Sequence, residues 1–213
     1  MMFELPAEIT AYLSELDAFI EREIKPIEQR DDNIRFFDHR RENARTDWDN
    51  DGHPRADWWA LLAEMRAVAD KAGHYRFAIP AEFGGKDGSN LAMAAIRYHL
   101  AKKGLGLHND LQNESSIVGN LVQVLMLRDF GTEQQKRDFI PQMLAGKMGW
   151  SFGLTEEHQG SDATHMDTRA VPEVRDGVAG YLINGNKMWT TGLPYTSHVM
   201  TFARTNGEDG KAR

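Results

Sequence analysis

The sequence predicts an α+β fold, with an N-terminal all-α helical domain over residues 1–147 and a β domain over residues 148–213. Three observations support this prediction. Apolar residues recur at helical spacing through most of the first two-thirds of the chain. From Lys147 onward they alternate with small or polar residues, which is the period of a strand. Two turn signals, Asp176-Gly177 and Asn184-Gly185, then interrupt the alternating segments.

The first helices follow from apolar spacing and from helix-end signals. Apolar residues fall on one face of a predicted helix over residues 7–29. A second helix carries Trp58 and Trp59, which we expect to be a core residue and a half-exposed neighbour, and it ends near Gly73. Between them, the charged stretch 31–51 is predicted to be an unusually long solvated loop.

Three more helices complete the predicted helical domain. They are expected over residues 91–103, 115–130 and 132–144. The last begins with Thr132 followed three residues later by Gln135, which is a capping-box pattern. Gly146 is expected to end it.

The remaining segments are predicted to be strands. They cover residues 150–154, 181–183, 187–189 and 198–204, and a turn follows over residues 205–210. Asn184-Gly185 is the expected hairpin turn between the second and third of them, since both residues accept a positive φ. These strands are too few to close a sheet. We therefore expect a truncated antiparallel β-barrel-like domain, in a chain that is a piece of a larger polypeptide.

Composition excludes several classes of function. The net charge is −7 at pH 7, which argues against a nucleic-acid partner. The chain has no cysteine, so neither disulfides nor cysteine catalysis are available. No apolar run approaches the roughly 20 residues that span a bilayer, and the N-terminus lacks the features of a signal or transit peptide. We therefore expect a cytoplasmic protein.

A polar loop over residues 155–162 is the first candidate site. Gly160 permits close backbone approach, and Thr155 and Ser161 supply hydroxyls that can face an anion or the edge of a heterocycle. The alternative is an ordinary Ser/Asp turn between strands. His158 and His165 flank the loop without a metal-ligand spacing, and we expect them to be solvated.

Trp189 and Thr191 form the second candidate site. In a strand, residues two apart face the same side, so an indole and a hydroxyl would lie together there. A flat ring stacks on a cofactor, and a hydroxyl tunes it by hydrogen bonding. The alternative is a core tryptophan beside a cross-strand threonine.

Four segments, in the same order and at the same separations, together resemble the acyl-CoA dehydrogenase family. They are Ile79-Pro80-Ala81-Glu82-Phe83-Gly84-Gly85, Gly131-Thr132-Glu133-Gln134-Gln135-Lys136, the block Leu154–Asp162, and the block Tyr181–Thr191. Two departures stand out. Glu157 replaces the proline that usually follows Thr-Glu, and Thr190 replaces a branched apolar residue. The stretch 31–54 has no counterpart that the resemblance identifies.

The resemblance implies FAD as cofactor and assigns its contacts. Phe152, Leu154 and Thr155 would lie along the isoalloxazine ring, with Thr155 bonded to its pyrimidine edge. Gly160 and Ser161 would lie near the ribityl-pyrophosphate and near the pantetheine of the substrate, so Ser161 is also a substrate-binding candidate. Trp189 would pack against the ring, and the Thr191 hydroxyl would lie near the reactive N5.

The same resemblance implies the reaction. A carboxylate removes the α-proton of an acyl-CoA thioester while the β-hydrogen passes to the flavin as hydride, and electrons leave to an electron-transfer flavoprotein. The base is expected to be a glutamate in a C-terminal helical domain outside this chain, so no catalytic residue is assigned here. A homodimer or homotetramer is implied. The alternatives are a flavin monooxygenase or nitroalkane-type oxidase of the same fold, and a non-catalytic subunit that binds acyl-CoA or FAD.

Overall fold

The protein divides into two compact units, Met1–Lys136 and Arg137–Arg213. The structure is a computed structural model, and it describes residues 4–38, 40–41, 43–110 and 115–205. The first unit is helical and the second contains most of the strands. This order confirms the predicted fold class of a helical domain followed by a β domain. The predicted turn at residues 206–210 lies outside the described residues.

The first predicted helix is present in three continuous parts. Helix α1 covers Ala7–Phe19, one widened turn follows over Ile20–Ile24, and helix α2 covers Lys25–Gln29. Pro26 lies in the first turn of α2, where a missing backbone N–H costs no helical hydrogen bond. The widened turn therefore accommodates Pro26, and the helical path continues from α1 into α2.

The charged stretch after α2 is more ordered than the sequence predicts. The segment Arg30–Phe37 has 3₁₀ character that is interrupted by a kink at Asp31 and Asp32, whose φ values are 53° and 57°, and its Asn33 and Phe36 are buried. The Asn33 amide donates to the Ile27 carbonyl at 2.9 Å, and the Phe36 ring lies 5.1 Å from that of Trp58. The prediction of a solvated loop was wrong here, because two uncharged side chains among many charges anchor the segment to the core.

A short antiparallel ribbon and two helices follow. Strand β1 covers Thr46–Asp47 and pairs with β2, His53–Pro54. Helix α3 covers Ala56–Lys71 and helix α4 covers Asn90–Lys102, which starts at a Ser89 cap whose hydroxyl accepts from the Ala92 amide at 3.1 Å. No helix among the described residues is both long and apolar enough to cross a membrane.

The core of the first unit is made by one face of each of these helices. Trp58 is 7% exposed and Trp59 is 41% exposed, so the predicted division between core and surface is confirmed. The largest fully buried side chains of this core come from α1, the widened turn, α3, α4 and the loops near residues 107 and 117: Leu16, Phe19, Ile20, Ile24, Met65, Ile96, Leu100, Leu107, Ile117 and Val118.

The helix predicted over residues 115–130 is shorter in the structure. Helix α5 covers Val122–Phe130, whereas Ser115–Leu121 is irregular. Gly119 explains the difference. Its amide donates to the Tyr75 carbonyl at 2.9 Å, and a Cβ there would lie 2.7 Å from that oxygen. A non-helical close approach therefore replaces the first turns of the predicted helix.

Helix α6, Glu133–Leu144, begins with the predicted capping box. The Gln135 amide donates to the Thr132 hydroxyl at 3.2 Å, and the Thr132 amide donates to the Gln135 side chain at 2.9 Å. Gly146, with φ of 67°, follows the helix end as predicted. Short sequence signals therefore locate both ends of this helix.

The second unit contains two small sheets. In the first, β3 (Trp150–Gly153) pairs in parallel with β6 (His198–Thr201). In the second, β4 (Arg169–Arg175) lies between β5 (Val178–Asn184) and β7 (Arg204–Thr205). The β4–β5 pair is antiparallel and the β4–β7 pair is parallel. The described strands form no closed barrel, and parallel pairs accompany the expected antiparallel one.

Candidate functional site

Strand β3 leads into the polar loop of residues 155–162, which is the first candidate site. Ser151 faces inward, and its hydroxyl lies 2.6 Å from that of Thr196. Phe152 is half-buried and stacks on Phe202 with ring centroids 6.2 Å apart. The alternation that predicted this strand thus leaves the Phe152 ring partly accessible at the entrance to the loop.

The loop after β3 is joined to the segment after β5 by hydrogen bonds from Lys187 and Met188. Lys187 Nζ donates to the Leu154 carbonyl at 3.1 Å and to Glu156 Oε1 at 2.7 Å. The Met188 amide donates to the Thr155 carbonyl at 2.9 Å. Leu154 and Thr155, which are both half-buried, are therefore held beside the segment that leads into Trp189.

Glu156 is the buried centre of this arrangement. Its side chain is 5% exposed, and its carboxylate also accepts from the Asp167 amide and from the amide and hydroxyl of Thr168. Burial acts to raise the pKa of Glu156, but hydrogen bonds from Lys187, Thr168 and Asp167 outweigh it and lower the pKa to about 2. The carboxylate is consequently ionised at neutral pH.

Trp189 presents its indole to solvent. The side chain is 80% exposed, so the alternative of a core tryptophan does not describe this chain. Its backbone φ is 57°, which is unusual for a bulky residue and costs about 1–3 kcal/mol. Such strain persists where the surrounding contacts over-determine the backbone, and the bonds at residues 187 and 188 supply those contacts.

The strand predicted over Lys187–Trp189 is absent, and that prediction was wrong. The left-handed backbone of Trp189 turns the chain, and the Thr191 amide donates to the Trp189 carbonyl at 3.0 Å. Trp189 and Thr191 therefore flank a tight turn rather than sharing one face of a strand. Both remain exposed.

The predicted hairpin at Asn184-Gly185 was also wrong. The two-residue turn that joins β4 to β5 is Asp176-Gly177, with φ values of 53° and 79°. Gly185 serves close packing instead, because a Cβ there would lie 2.6 Å from Thr168 Cα. Two similar dipeptides therefore have different roles, and the strand lengths around them decide which one turns.

Gly160 and Ser161 lie in the exposed part of the loop. The segment before them is closed by the Glu156 and Gln159 backbones, which exchange hydrogen bonds of 3.0 and 3.3 Å. Nothing lies within 4 Å of a Cβ added at Gly160, so a ligand has free access to that backbone. His158 is exposed as predicted, and no group of three histidine, aspartate or glutamate residues in the described ranges forms a metal site.

The sequence did not identify the pair formed by Glu156 and Lys187. Glu156 lies within the block Leu154–Asp162, but the sequence assigned it no contact. The two residues are 31 positions apart, and no local pattern links a loop carboxylate to a lysine beyond a hairpin. The only local signal is the acidic dipeptide Glu156-Glu157 a few residues after β3.

Family comparisons agree with this architecture. The family model described as "Acyl-CoA dehydrogenase, N-terminal domain" matches residues 28–147, and the one described as "Acyl-CoA dehydrogenase, middle domain" matches residues 151–213. The curated relative Acyl-CoA dehydrogenase FadE26 of Mycobacterium tuberculosis is 36% identical over 47% of this chain and 26% of its own length.

Solved structures show the same fold over nearly the whole chain. A putative acyl-CoA dehydrogenase from Mycobacterium abscessus matches with a TM-score of 0.67 at 22% identity, covering 97% of this chain and 48% of that one. Butyryl-CoA dehydrogenase from Megasphaera elsdenii matches with a TM-score of 0.58 at 23% identity, covering 99% and 47%. The chain thus spans less than half the length of these relatives. Because one family model alone covers more than half of it, the chain belongs to the acyl-CoA dehydrogenase family.

Proposed function

We propose that the protein of which this chain is a part removes the α and β hydrogens of an acyl-CoA thioester with FAD, and passes the electrons to an electron-transfer flavoprotein. The observation that supports this most is the connection between the two candidate segments. Lys187 Nζ lies 3.1 Å from the Leu154 carbonyl oxygen, and the Met188 amide lies 2.9 Å from the Thr155 carbonyl oxygen. Leu154, Thr155 and the segment that leads into Trp189 therefore belong to one connected framework.

The residues of this framework fit a flavin chemically. The Trp189 indole is exposed and offers a flat apolar surface. Thr155 and Thr191 carry hydroxyls for the polar edges of a heterocycle, and the Gly160 backbone is open to approach. When bound, the flavin would accept the β-hydrogen as hydride.

Each candidate site residue has a proposed role in holding the substrate or the flavin. Phe152 and Leu154 would line the ring, and the Thr155 hydroxyl would bond its pyrimidine edge. Trp189 would pack on the ring, and the Thr191 hydroxyl would stabilise charge that reaches it. Ser161 with Gly160 would hold the ribityl-pyrophosphate and the pantetheine. The base that removes the α-proton is proposed to come from a C-terminal domain of the whole protein.

The same proposal covers organisation and location. The functional division is a helical domain over residues 1–147 and a β domain over residues 148–213. The active form is a homodimer or homotetramer, and it is cytoplasmic. Gel filtration with light scattering of the full-length protein would test the assembly, since a monomer with full activity would contradict it.

Visible absorbance of the full-length protein tests the reaction. We expect a bound flavin that is bleached anaerobically by at least one member of a panel of acyl-CoA thioesters. Thr191→Val should keep the flavin yet slow its reduction roughly a hundredfold, since one preorganised donor is lost. Thr201→Val is the matched control, because Thr201 is exposed at the end of β6 and has no proposed role.

Other outcomes would replace this proposal. A flavin that no thioester bleaches, but that reacts quickly with oxygen once chemically reduced, would support a monooxygenase or oxidase. A well-folded protein without flavin would support a non-catalytic subunit. Equal reduction rates in Thr191→Val and the wild type would remove the role proposed for Thr191.

A further inference from the structure

Glu156 and Lys187 form a buried ion pair that the residue roles proposed above leave without a function. Their side chains are 5% and 12% exposed, and Lys187 Nζ lies 2.7 Å from Glu156 Oε1. Other ion pairs in the described part of the second unit are much more exposed. The Arg175–Glu173 pair, at 3.1 Å, has side chains that are 72% and 37% exposed. A pair removed from water to this degree requires a physical reason, because desolvation opposes it.

The pair is bonded to the backbone on both sides. Lys187 Nζ donates to the Leu154 carbonyl as well as to the carboxylate, so one ammonium group fixes two points of the loop after β3. The carboxylate of Glu156 accepts from the Asp167 and Thr168 amides, which fixes the far end of the same loop just before β4. The pair therefore closes the loop that contains Thr155, Gly160 and Ser161.

The pair also fixes the segment that carries Trp189. Lys187 precedes Trp189 by two residues, and the neighbouring Met188 amide is bonded to the Thr155 carbonyl at 2.9 Å. Trp189 adopts a strained φ of 57° with an exposed side chain, so it gains no stability from packing its own indole. The contacts that join this backbone to the Thr155 loop come from the two residues before it.

We propose that Glu156 and Lys187 are positioning residues, which hold the Thr155 loop and the Trp189 segment in the relative arrangement that accepts the flavin. This inference rests on the proposed function. Neither residue is required to touch the cofactor or the substrate. Their directional bonds set the separation of the two segments, and misplacement of binding groups by a fraction of an ångström is enough to weaken binding and slow the reaction.

Three variants of the full-length protein separate positioning from simple structural support. They are Lys187→Met, Glu156→Gln and the double variant. Each single variant leaves one buried charged group without its partner, so both stability and flavin affinity should fall. The double variant leaves no unpaired buried charge, so its stability should recover toward wild type. Its flavin affinity should stay at least about tenfold weaker, because the bond to the Leu154 carbonyl is still missing.

The readouts are FAD affinity by fluorescence titration of deflavinated protein, thermal unfolding, and the kcat and KM of thioester oxidation. Positioning predicts a double variant with near wild-type unfolding temperature, lowered kcat and weak FAD binding. Arg175→Met is the matched control, since it removes a cation of an exposed pair in the same unit and should leave all three unchanged.

Two results would overturn the inference. If the double variant recovers both stability and FAD affinity to within twofold of wild type, the pair is only a structural element. If Lys187→Met binds FAD as tightly as wild type, the arrangement does not depend on the pair. A wild-type protein that holds no FAD would instead overturn the proposed function, and this inference with it, so the two failures are distinguishable.

Discussion

The two units of the molecule differ in the groups that each of them buries. In the helical unit, large apolar side chains such as Leu16, Phe19 and Met65 are almost fully buried. In the β unit, Val178 and Tyr181 on β5 remain 71% and 62% exposed, while a carboxylate and an ammonium group occupy the interior of the loop. Apolar burial tolerates many equivalent packings, whereas hydrogen bonds to charged groups require particular directions.

This difference explains where the candidate site lies. The segments that carry Thr155 and Trp189 belong to the unit whose geometry depends on directional polar bonds. Their relative position should therefore respond to loss of charge more than to small changes in volume. The helical unit should show the opposite sensitivity.

The largest expected effect is removal of a core side chain from the helical unit. Phe19 is 2% exposed, so Phe19→Ala should lower the free energy of unfolding by about 3–5 kcal/mol through lost burial and a cavity. Phe130 in the same unit is 85% exposed, so Phe130→Ala should change the free energy of unfolding by less than about 0.5 kcal/mol. Urea titration followed by the far-ultraviolet circular dichroism of the helices measures both. Similar losses in the two variants would contradict a core of this kind.

The buried carboxylate of the β unit should make the stability of its own loop depend on pH. The pKa of Glu156 is lowered from its ordinary 4.5 to about 2, so the folded state favours the ionised form. Its contribution to stability is complete above about pH 4.5 and is lost as the pH falls toward about 2. At neutral pH, Glu156→Gln should cost about 3 kcal/mol by leaving Lys187 without a charged partner.

Hydrogen exchange of the Thr168 amide, corrected for the intrinsic rate at each pH, reports this effect locally. Protection should fall across that acid range in the wild type. Glu156→Gln should show a lower protection with no such fall. Parallel pH profiles for the two proteins would mean that Glu156 does not carry the acid sensitivity of this loop.

A smaller effect is expected where the backbone of the β unit packs closely. Gly185→Ala would bring a Cβ to 2.6 Å from Thr168 Cα, so β5 or the loop must shift, at a cost of about 1–3 kcal/mol. Gly180→Ala, within β5, places a Cβ where nothing lies within 4 Å, and this variant should be close to neutral. Hydrogen exchange of the Thr168 amide measures both, and equal protection in the two variants would rule out this close contact.

The sequence predicted best what depends on short-range patterns. The capping box at Thr132 and Gln135 and the buried face carrying Trp58 follow from residues within a few positions of one another, and the structure contains them. Phe36 was missed, because two adjacent aromatic residues, Phe36 and Phe37, among charges show no helical periodicity. The hairpin was assigned to Asn184-Gly185 because dipeptide signals do not reveal which strands pair. The pair of Glu156 and Lys187 was missed because only the fold brings them together.

The smallest expected effect returns to the helical unit, at the start of α6. Thr132→Ala removes the hydroxyl that accepts from the Gln135 amide at 3.2 Å, and it should cost about 1 kcal/mol. Gln135→Ala removes the reciprocal bond of 2.9 Å to the Thr132 amide. If the two side chains act as one cap, the double variant should lose less than the sum of the single losses in urea titrations. Thr132→Ser keeps the hydroxyl and should stay within a few tenths of a kcal/mol of wild type. Strict additivity would show that the two bonds act independently, so that even this locally predicted feature would owe its stability to single contacts rather than to the reciprocal pattern.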